Sequence, residues 1–451
     1  MFTKDKAMEI LKKALTYSDS DMAEAVLEKE RLSLTRFAES RISDNIDNEQ
    51  TTLYIRIARE KKIAVNATGD ISVDGIKKAV NDCQTMLEFI PPDQNFVSFA
   101  KPEAGVQYND VIKPALPEFG PGQRAEAIAR INRIADKGKT KSSGAFRIDE
   151  NSLAVANTLG IYRFFTRAQA ELSLTLSGDF DNSGWAMQFH PDASQIDIDK
   201  IAQTALRKAA KSRDIISLES GQYTVILEPA AVGQLLLMLS FMGFGCQTFY
   251  QRRSFMSAKI GEQIAGNNFT VTEDPSDPDF NYCPFDYEGT VRKKTELITN
   301  GIAKGVVYNT YYANLMETLS TGNALAPTNS YGPYPKTLAV APGDKTVEEM
   351  IQATEKGVYI THFWYINFLN PMATMVTGTT LDGTFLIENG KIGQPIKNMR
   401  TNQSLLEAFS NIEALSSGRI IYPQYSVLMK VPYMKINNFN LNVEEEEDNK
   451  C

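Results

Sequence analysis

The stretch YTVILEPAAVGQLLLMLSF, residues 223–241, decides how the second half of this chain folds. Its first five residues are rich in β-branched and aromatic side chains, which predicts a strand over Tyr223–Leu227. Pro229 follows, and proline suits the first turn of a helix because the N–H that it lacks is not needed there. The run from Val232 to Phe241 is apolar on almost every side. We therefore expect a helix that is buried in a core.

The residues before this stretch mix helical and strand patterns. Apolar residues recur at helical spacing around Ile76 and Ile128, whereas Leu53–Ile57 alternates with polar residues as a half-buried strand does. These patterns predict an α+β fold of two domains with an antiparallel sheet in the first. We place the N-terminal α+β domain at residues 1–217 and a β-rich C-terminal domain at residues 218–443.

Short glycine-containing motifs mark turns in the second half. Asn300-Gly301 and Asn389-Gly390 lie between alternating segments and predict tight hairpins. Residues 378–383, GTTLDG, lack the lysine of a phosphate-binding loop and the spacing of a dinucleotide-binding loop, so we expect a hairpin turn there as well. The acids of residues 444–448 predict a solvated tail over 444–451.

Composition excludes several classes of protein. The 451 residues carry a net charge of −8, which argues against direct binding to nucleic acid. We find no signal peptide and no apolar run of the ~20 residues that a membrane-spanning helix needs, and therefore expect no membrane association. The four cysteines are scattered, which favours reduced thiols in a cytoplasmic protein over a disulfide framework.

Histidine content decides which metal chemistry the chain can support. Only His190 and His362 occur, so a helix that presents two histidines to one zinc ion is excluded. A mixed metal site from His362, Cys246 and Cys283 stays open, as does Cys246 acting as a nucleophile with His362 as its base. Burial of the cysteines as small apolar residues is the simpler interpretation.

Two further groups are candidates for a peptide groove or a subunit interface. Arg252 and Arg253 could clamp a carboxylate, although ordinary interdomain or intersubunit ion pairs are the simpler interpretation. His362 stands in an aromatic cluster with Trp364 and Tyr365, which could line a groove, form an interface or pack in the core. From the residues alone we identify no catalytic residue and no metal ligand.

At this point a set of blocks in the second half resembles the TldD/TldE (PmbA) family, and in particular members described as modulators of DNA gyrase. Their order and spacing hold over most of residues 220–410. The blocks are Arg253-Ser254-Phe255, GEQI at 261–264, TEDP at 272–275, PFDYEG at 284–289, ITNGI at 298–302, EKGVYI at 355–360, LIENGK at 386–391 and PIK at 395–397.

The resemblance implies a two-domain protein that works as a dimer. In this family a TldD-like subunit carries a His-Glu-x-x-x-His helix and a cysteine in the C-terminal domain, which bind zinc. A TldE-like subunit lacks them, and the pair degrades unfolded or linear peptides. Where the zinc helix should fall, this chain has the largely apolar run from Gln234 to Phe241. The segment that should hold the cysteine, His362–Asn370, contains none.

We therefore expect a TldE-like pseudoenzyme subunit without a cofactor of its own, with any zinc held by a TldD-like partner. An alternative is a homodimeric, non-catalytic protein that binds unfolded peptides or serves as a scaffold. A second alternative is a self-sufficient peptidase with an unrecognised site. The gyrase label does not require contact with DNA, since an indirect effect through proteolysis agrees better with the acidic charge.

Overall fold

The computed structural model of the chain describes residues 1–103, 111–112, 119–178, 183–211 and 215–443. Its fold is α+β, as predicted, and its first half is built on one sheet that is antiparallel except for a short parallel pairing of β4 with β6. The strand order is β3-β2-β1-β5-β6, and both β4 and β7 pair with β6. The strands are β1 (Met22–Ala38), β2 (Arg41–Arg59), β3 (Lys62–Thr68), β4 (Val111–Ile112), β5 (Lys141–Asn157), β6 (Tyr162–Ser177) and β7 (Ser183–His190).

Four helices cover one face of this sheet. They are α1 (Lys4–Thr16), α2 (Val73–Phe89), α3 (Pro121–Lys137) and α4 (Ile198–Lys211), with a short 3₁₀ turn at Ala193–Gln195. Alternate residues of a strand point to opposite faces. Leu27 therefore packs under α1 and α2, while Val26 points to the other face, where it meets Cys283 and Phe285 of the second half of the chain.

The second half is built on a larger sheet of mixed direction. Its strands are β8 (Gly221–Leu227), β9 (Val271–Glu273), β10 (Thr295–Thr299), β11 (Ile302–Ala303), β12 (Thr337–Val340), β13 (Lys356–Asn370), β14 (Met375–Glu388), β15 (Lys391–Pro395), β16 (Met399–Ser404), β17 (Ile412–Gln424) and β18 (Val427–Val443). The order is β11-β10-β9-β12-β18-β16-β14-β13-β8, and β8 also pairs with β18, so five strands form a closed circuit.

The helices of this half are α5 (Pro229–Gly243), α6 (Cys246–Tyr250), α7 (Thr310–Leu315), α8 (Val347–Gln352) and α9 (Leu405–Ser410), with a 3₁₀ turn at Pro278–Phe280. The predicted core helix is confirmed as α5, which begins at Pro229 and is buried at every residue except Phe241. It packs against β8, β13, β17 and β18 and lies in the largest hydrophobic core of the chain.

Both Asn-Gly hairpins are confirmed. Asn300 and Gly301 join β10 to β11, and Asn389 and Gly390 join β14 to β15, with positive φ at all four residues as a two-residue turn of this type requires. The hairpin turn expected at residues 378–383 is wrong. This segment lies inside β14, where the register with β13 shifts and Asp382 and Gly383 adopt positive φ, so the glycines mark a strand irregularity.

The strands of the first sheet lie between residues 22 and 190, and those of the second between residues 221 and 443. The boundary at residue 217 stays a prediction, and the acidic tail at 444–451 lies outside the described residues. In the part of the chain that the structure describes, no helix combines the length and apolar character needed to cross a membrane.

Candidate functional site

The helix α5 occupies the position at which the family resemblance predicts a zinc-binding helix. Leu235, Leu236, Leu237 and Leu239 fill the core around it. Two polar side chains, Gln234 and Ser240, are buried among them. Ser240 forms a close hydroxyl contact with Tyr334, and Gln234 bonds to the backbone of β13.

Gln234 replaces a missing strand neighbour of β13. The strand β8 pairs in parallel with β13 over Val358–Ile360 and the chain then turns into α5. Beyond that point the Gln234 carboxamide takes over. Its Oε1 accepts from the Phe363 N–H at 2.8 Å and its Nε2 donates to the Phe363 carbonyl at 2.9 Å. A side-chain amide thus satisfies two backbone groups that the sheet leaves unpaired.

This arrangement does not fit a zinc ion on α5. Zinc takes thiolate, imidazole or carboxylate ligands, and the polar side chains of α5 are a carboxamide and a hydroxyl. Both polar atoms of Gln234 already bond to Phe363, and its neighbour Gly233 is covered by the ring of Tyr422. Among the described residues no group of three histidine, cysteine, aspartate or glutamate side chains has the arrangement to hold a metal.

Arg252 and Arg253 lie beside a cavity of about 400 Å³ at the C-terminal end of α5. Arg252 has a positive φ of 55°, which turns the chain at this point, and the Arg253 N–H bonds to the Thr248 carbonyl at 2.8 Å. Both side chains are exposed. The cavity is further lined by Phe241, Met242, Thr248, Phe368, Pro371 and Met372.

The β13–β14 hairpin also contributes to the wall of this cavity, through Phe368, Pro371 and Met372, and it carries a row of exposed apolar side chains. We call it the hairpin patch. Trp364 is 62% exposed and Tyr365 is 78% exposed. Phe363 alone of the aromatic cluster is fully buried, in the core under β13. The patch consists of Trp364, Tyr365, Phe368, Leu369 and Met372.

His362 is separate from the hairpin patch and belongs to the contact between the two halves of the chain. Its ring lies 4.7 Å from that of Trp185 on β7, and its Nε2 is 3.4 Å from Asp382 Oδ2. Burial acts to raise the pKa of Asp382, but hydrogen bonds from His362 and Ser183 outweigh it and the pKa is lowered. Of the candidates, Arg252 and Arg253 thus line the cavity, Trp364 and Tyr365 are exposed on β13, and His362 is buried against Trp185.

Cys246 lies in the C-terminal core at the start of α6 and is fully buried. Burial raises the pKa of its thiol to about 12, which is the opposite of what a nucleophilic cysteine requires. Its environment includes Tyr308 and Tyr312, whereas His362 bonds to Asp382. The hydrogen bonds and ring contacts within the described ranges do not join Cys246 to His362.

The sequence analysis missed two polar residues that organise this region, Glu228 and Gln234. Glu228 precedes α5 and bonds to Lys208 of α4 at 2.7 Å and to the Tyr359 hydroxyl at 2.8 Å. It thereby ties the first half of the chain to the start of α5. Gln234 could have been singled out as a lone amide in an apolar run, but its partner Phe363 is distant in sequence.

Comparison with known proteins bears on both the fold and the region around α5. Residues 220–442 match the family model described as the PmbA/TldA metallopeptidase C-terminal domain. Metalloprotease PmbA of Escherichia coli O157:H7 is 22% identical over 424 residues, which cover 88% of each chain. An uncharacterized protein of Methanocaldococcus jannaschii is 30% identical over 245 residues, which cover 52% of this chain and 56% of that protein. The aligned region thus spans about half the length of several curated relatives.

Two solved structures share the fold over nearly their whole length. TldE from Thermococcus kodakarensis superposes with a TM-score of 0.85 at 21% identity, over 97% of this chain and 100% of that one. A candidate modulator of a DNA gyrase from Thermotoga maritima gives a TM-score of 0.84 at 16% identity, over 96% and 99%.

Fold and matched region together define the class, a metallopeptidase-related α+β protein. In this chain the buried positions of α5 are filled by mainly apolar side chains, and the Gln234 carboxamide bonds to the backbone of Phe363. The family expectation is confirmed by the family model and by the relatives that share it: the chain belongs to the PmbA/TldD family.

Proposed function

We propose that this chain is the metal-free, TldE-like subunit of a zinc-dependent peptidase that degrades unfolded or linear peptides. The observation that carries the proposal is the set of side chains on α5. Its one side-chain amide bonds to Phe363, and its other buried side chains are apolar except for the Ser240 hydroxyl, which contacts Tyr334. A helix built in this way contributes to folding, and it offers no ligand to a catalytic metal. The chemistry then belongs to a partner with the full histidine motif.

The hairpin patch supports a subunit role. Exposed aromatic side chains clustered next to arginine are typical of the centres of protein interfaces. Phe368 and Met372 of the patch line the cavity at Arg252 and Arg253, and Trp364 and Tyr365 are its most exposed rings. Burying such side chains against a partner is favourable because it removes apolar surface from water. We assign this surface to the zinc-bearing partner subunit.

Co-expression with a chain of the same family that carries the His-Glu-x-x-x-His helix tests the proposal. We expect a stable complex that cleaves an unfolded peptide, and loss of cleavage when the partner's histidines are replaced. If co-expression with each such chain of the host gives neither complex nor cleavage, the proposal is wrong. A homodimer that binds unfolded peptide without cleaving it would favour the alternative of a non-catalytic binding protein.

Interface variants refine this test. Trp364→Ser together with Tyr365→Ser should weaken the complex, because the largest exposed rings of the hairpin patch are removed while the fold is retained. Phe89→Ser is a matched control, since Phe89 is 80% exposed at the end of α2, away from the patch. Equal loss of binding in both variants would show that the hairpin patch is not part of the interface.

A further inference from the structure

A buried group of carboxyls lies where the first sheet meets residues 284–292. Glu24 of β1 is only 1% exposed, and Asp286 and Glu288 are buried as well. We call these three residues the interface acid cluster. The guanidinium of Arg56 on β2 joins two of them, because its Nη2 lies 2.8 Å from Glu24 Oε1 and 3.2 Å from Glu288 Oε1. The cluster therefore links the two halves of the chain.

Carboxyls outnumber guanidinium groups in the immediate surroundings of Glu24. Arg292 acts on Asp286, but it also lies 3.8 Å from the buried Glu273. Arg163 of β6 passes beside Gly289. Lys336 and Arg167 also lie near Arg292 and Glu273. The imbalance is therefore local to Glu24, on which two carboxyls, Asp286 and Glu288, and one guanidinium, that of Arg56, act. Since an uncompensated buried charge is costly, the imbalance favours uptake of a proton.

Hydrogen bonding identifies which carboxyl holds this proton. Asp286 accepts three backbone N–H bonds, from Glu288, Thr290 and Ala324, at 2.9, 3.0 and 2.8 Å. Glu288 accepts from the Thr310 N–H at 2.8 Å. Such bonds favour the ionised form. Glu24 Oε2 is buried and has no hydrogen-bond partner within the described residues, so Glu24 is the carboxyl that is most easily neutralised.

Electrostatics agrees with this assignment. Burial raises the pKa of Glu24 to about 7, an effect that Arg56 opposes and that the neighbouring Glu288 and Asp286 reinforce. Burial also raises the pKa of Asp286. Its three N–H donors, however, lead us to place the proton on Glu24.

We propose that Glu24 is a proton-controlled latch between the first sheet and residues 284–292. With a protonated Glu24 carboxyl the contact is closed. When Glu24 releases its proton to solvent, the buried carboxylate stands among Glu288 and Asp286, and opening of the contact becomes easier. Opening would expose Cys283 and Phe285, which pack against Val26 and Val155 when the contact is closed.

The direction of the pH dependence follows from linkage. Because the pKa of Glu24 is higher in the closed state than in an exposed chain, the closed contact is strongest at low pH. It weakens as pH rises from about 4.5, the ordinary value for a glutamate, to about 7, and changes little above that. A shift of this size corresponds to an opening equilibrium on the order of 50-fold more favourable at pH 8 than at pH 5.

Thiol labelling of the full chain with 4,4′-dithiodipyridine tests the latch. The rate at Cys283 is measured by mass spectrometry at pH 5 and pH 8, in the wild type and in Glu24→Gln, which cannot ionise at this position. The ratio of the two rates at each pH cancels the pH dependence of the thiol itself. Cys83, on the buried face of α2, reports on global unfolding in the same sample.

We expect the wild-type to variant ratio at Cys283 to increase on the order of 50-fold from pH 5 to pH 8, with no such increase at Cys83. A ratio that stays constant, or a parallel increase at Cys83, overturns the proposal. Asp286→Asn provides an independent check. It should keep the pH dependence with a midpoint at lower pH, because a neighbouring charge is removed. If it abolishes the dependence, the proton is on Asp286 and the assignment to Glu24 is wrong.

Discussion

Replacing Gln234 by methionine removes the side-chain amide that completes β13 while keeping the length of the side chain. Two hydrogen bonds to Phe363, at 2.8 and 2.9 Å, are lost at once. The N–H and the carbonyl of Phe363 then stay buried without partners. Each such group costs about 1–3 kcal/mol, and the easier burial of methionine offsets part of the sum. We expect the free energy of unfolding to fall by about 3 kcal/mol.

Urea unfolding followed by tryptophan fluorescence measures this loss. Trp364 lies in β13, and Trp185 lies on β7 with its ring against that of His362 in β13. Met238→Leu, one turn further along α5, is the matched control. This substitution changes the shape of a side chain in the same core and removes no side-chain hydrogen bond. It should lower the free energy of unfolding by less than about 1.5 kcal/mol. If Gln234→Met is no more destabilising than this control, Gln234 is not a substitute for a strand neighbour, and our account of α5 is wrong.

Three further predictions address other parts of the fold. Gly289→Ala should destabilise the chain by more than about 2 kcal/mol, because Gly289 has a φ of 72° and an added Cβ would lie 2.4 Å from Ile161 Cγ2; thermal unfolding should show little effect of Gly418→Ala, where nothing lies within 4 Å. The pKa of Asp382 is lowered in the folded state, so its contribution to stability is present above the ordinary pKa and is lost as pH falls through the folded one. Asp382→Asn should therefore lower the melting temperature at pH 7 and reduce its fall on acidification. Added zinc or EDTA should leave the melting temperature of the isolated chain unchanged, because a ligand that binds only the folded state would raise it.

Local signals in the sequence were sufficient for the elements that depend on them. The apolar run after Pro229 predicted α5, and the two Asn-Gly dipeptides predicted their hairpins, because each feature is decided by neighbouring residues. The strand β1 was not predicted. Its central residues, such as Glu28 and Arg31, are charged and become acceptable in a strand only through cross-strand partners, among them Asn151 and Asp47.

The remaining features depend on contacts between residues that are far apart in the chain. Gln234 gains its role from Phe363, and Glu24 gains its environment from residues 286–288. Residues 378–383 were misread because glycine serves a turn and an irregular strand equally well. Among the candidate site residues, exposure separated Trp364 from the buried His362, and no pattern in the sequence distinguishes the two.

Native mass spectrometry of the protein purified from its own host, with zinc measured on the same sample, tests the central claim most directly. The account predicts a complex of this chain with a family member that carries the histidine motif, and zinc that stays with that partner when the chains are separated. A homodimer of this chain that binds zinc in proportion to the number of chains and cleaves unfolded peptides would contradict it.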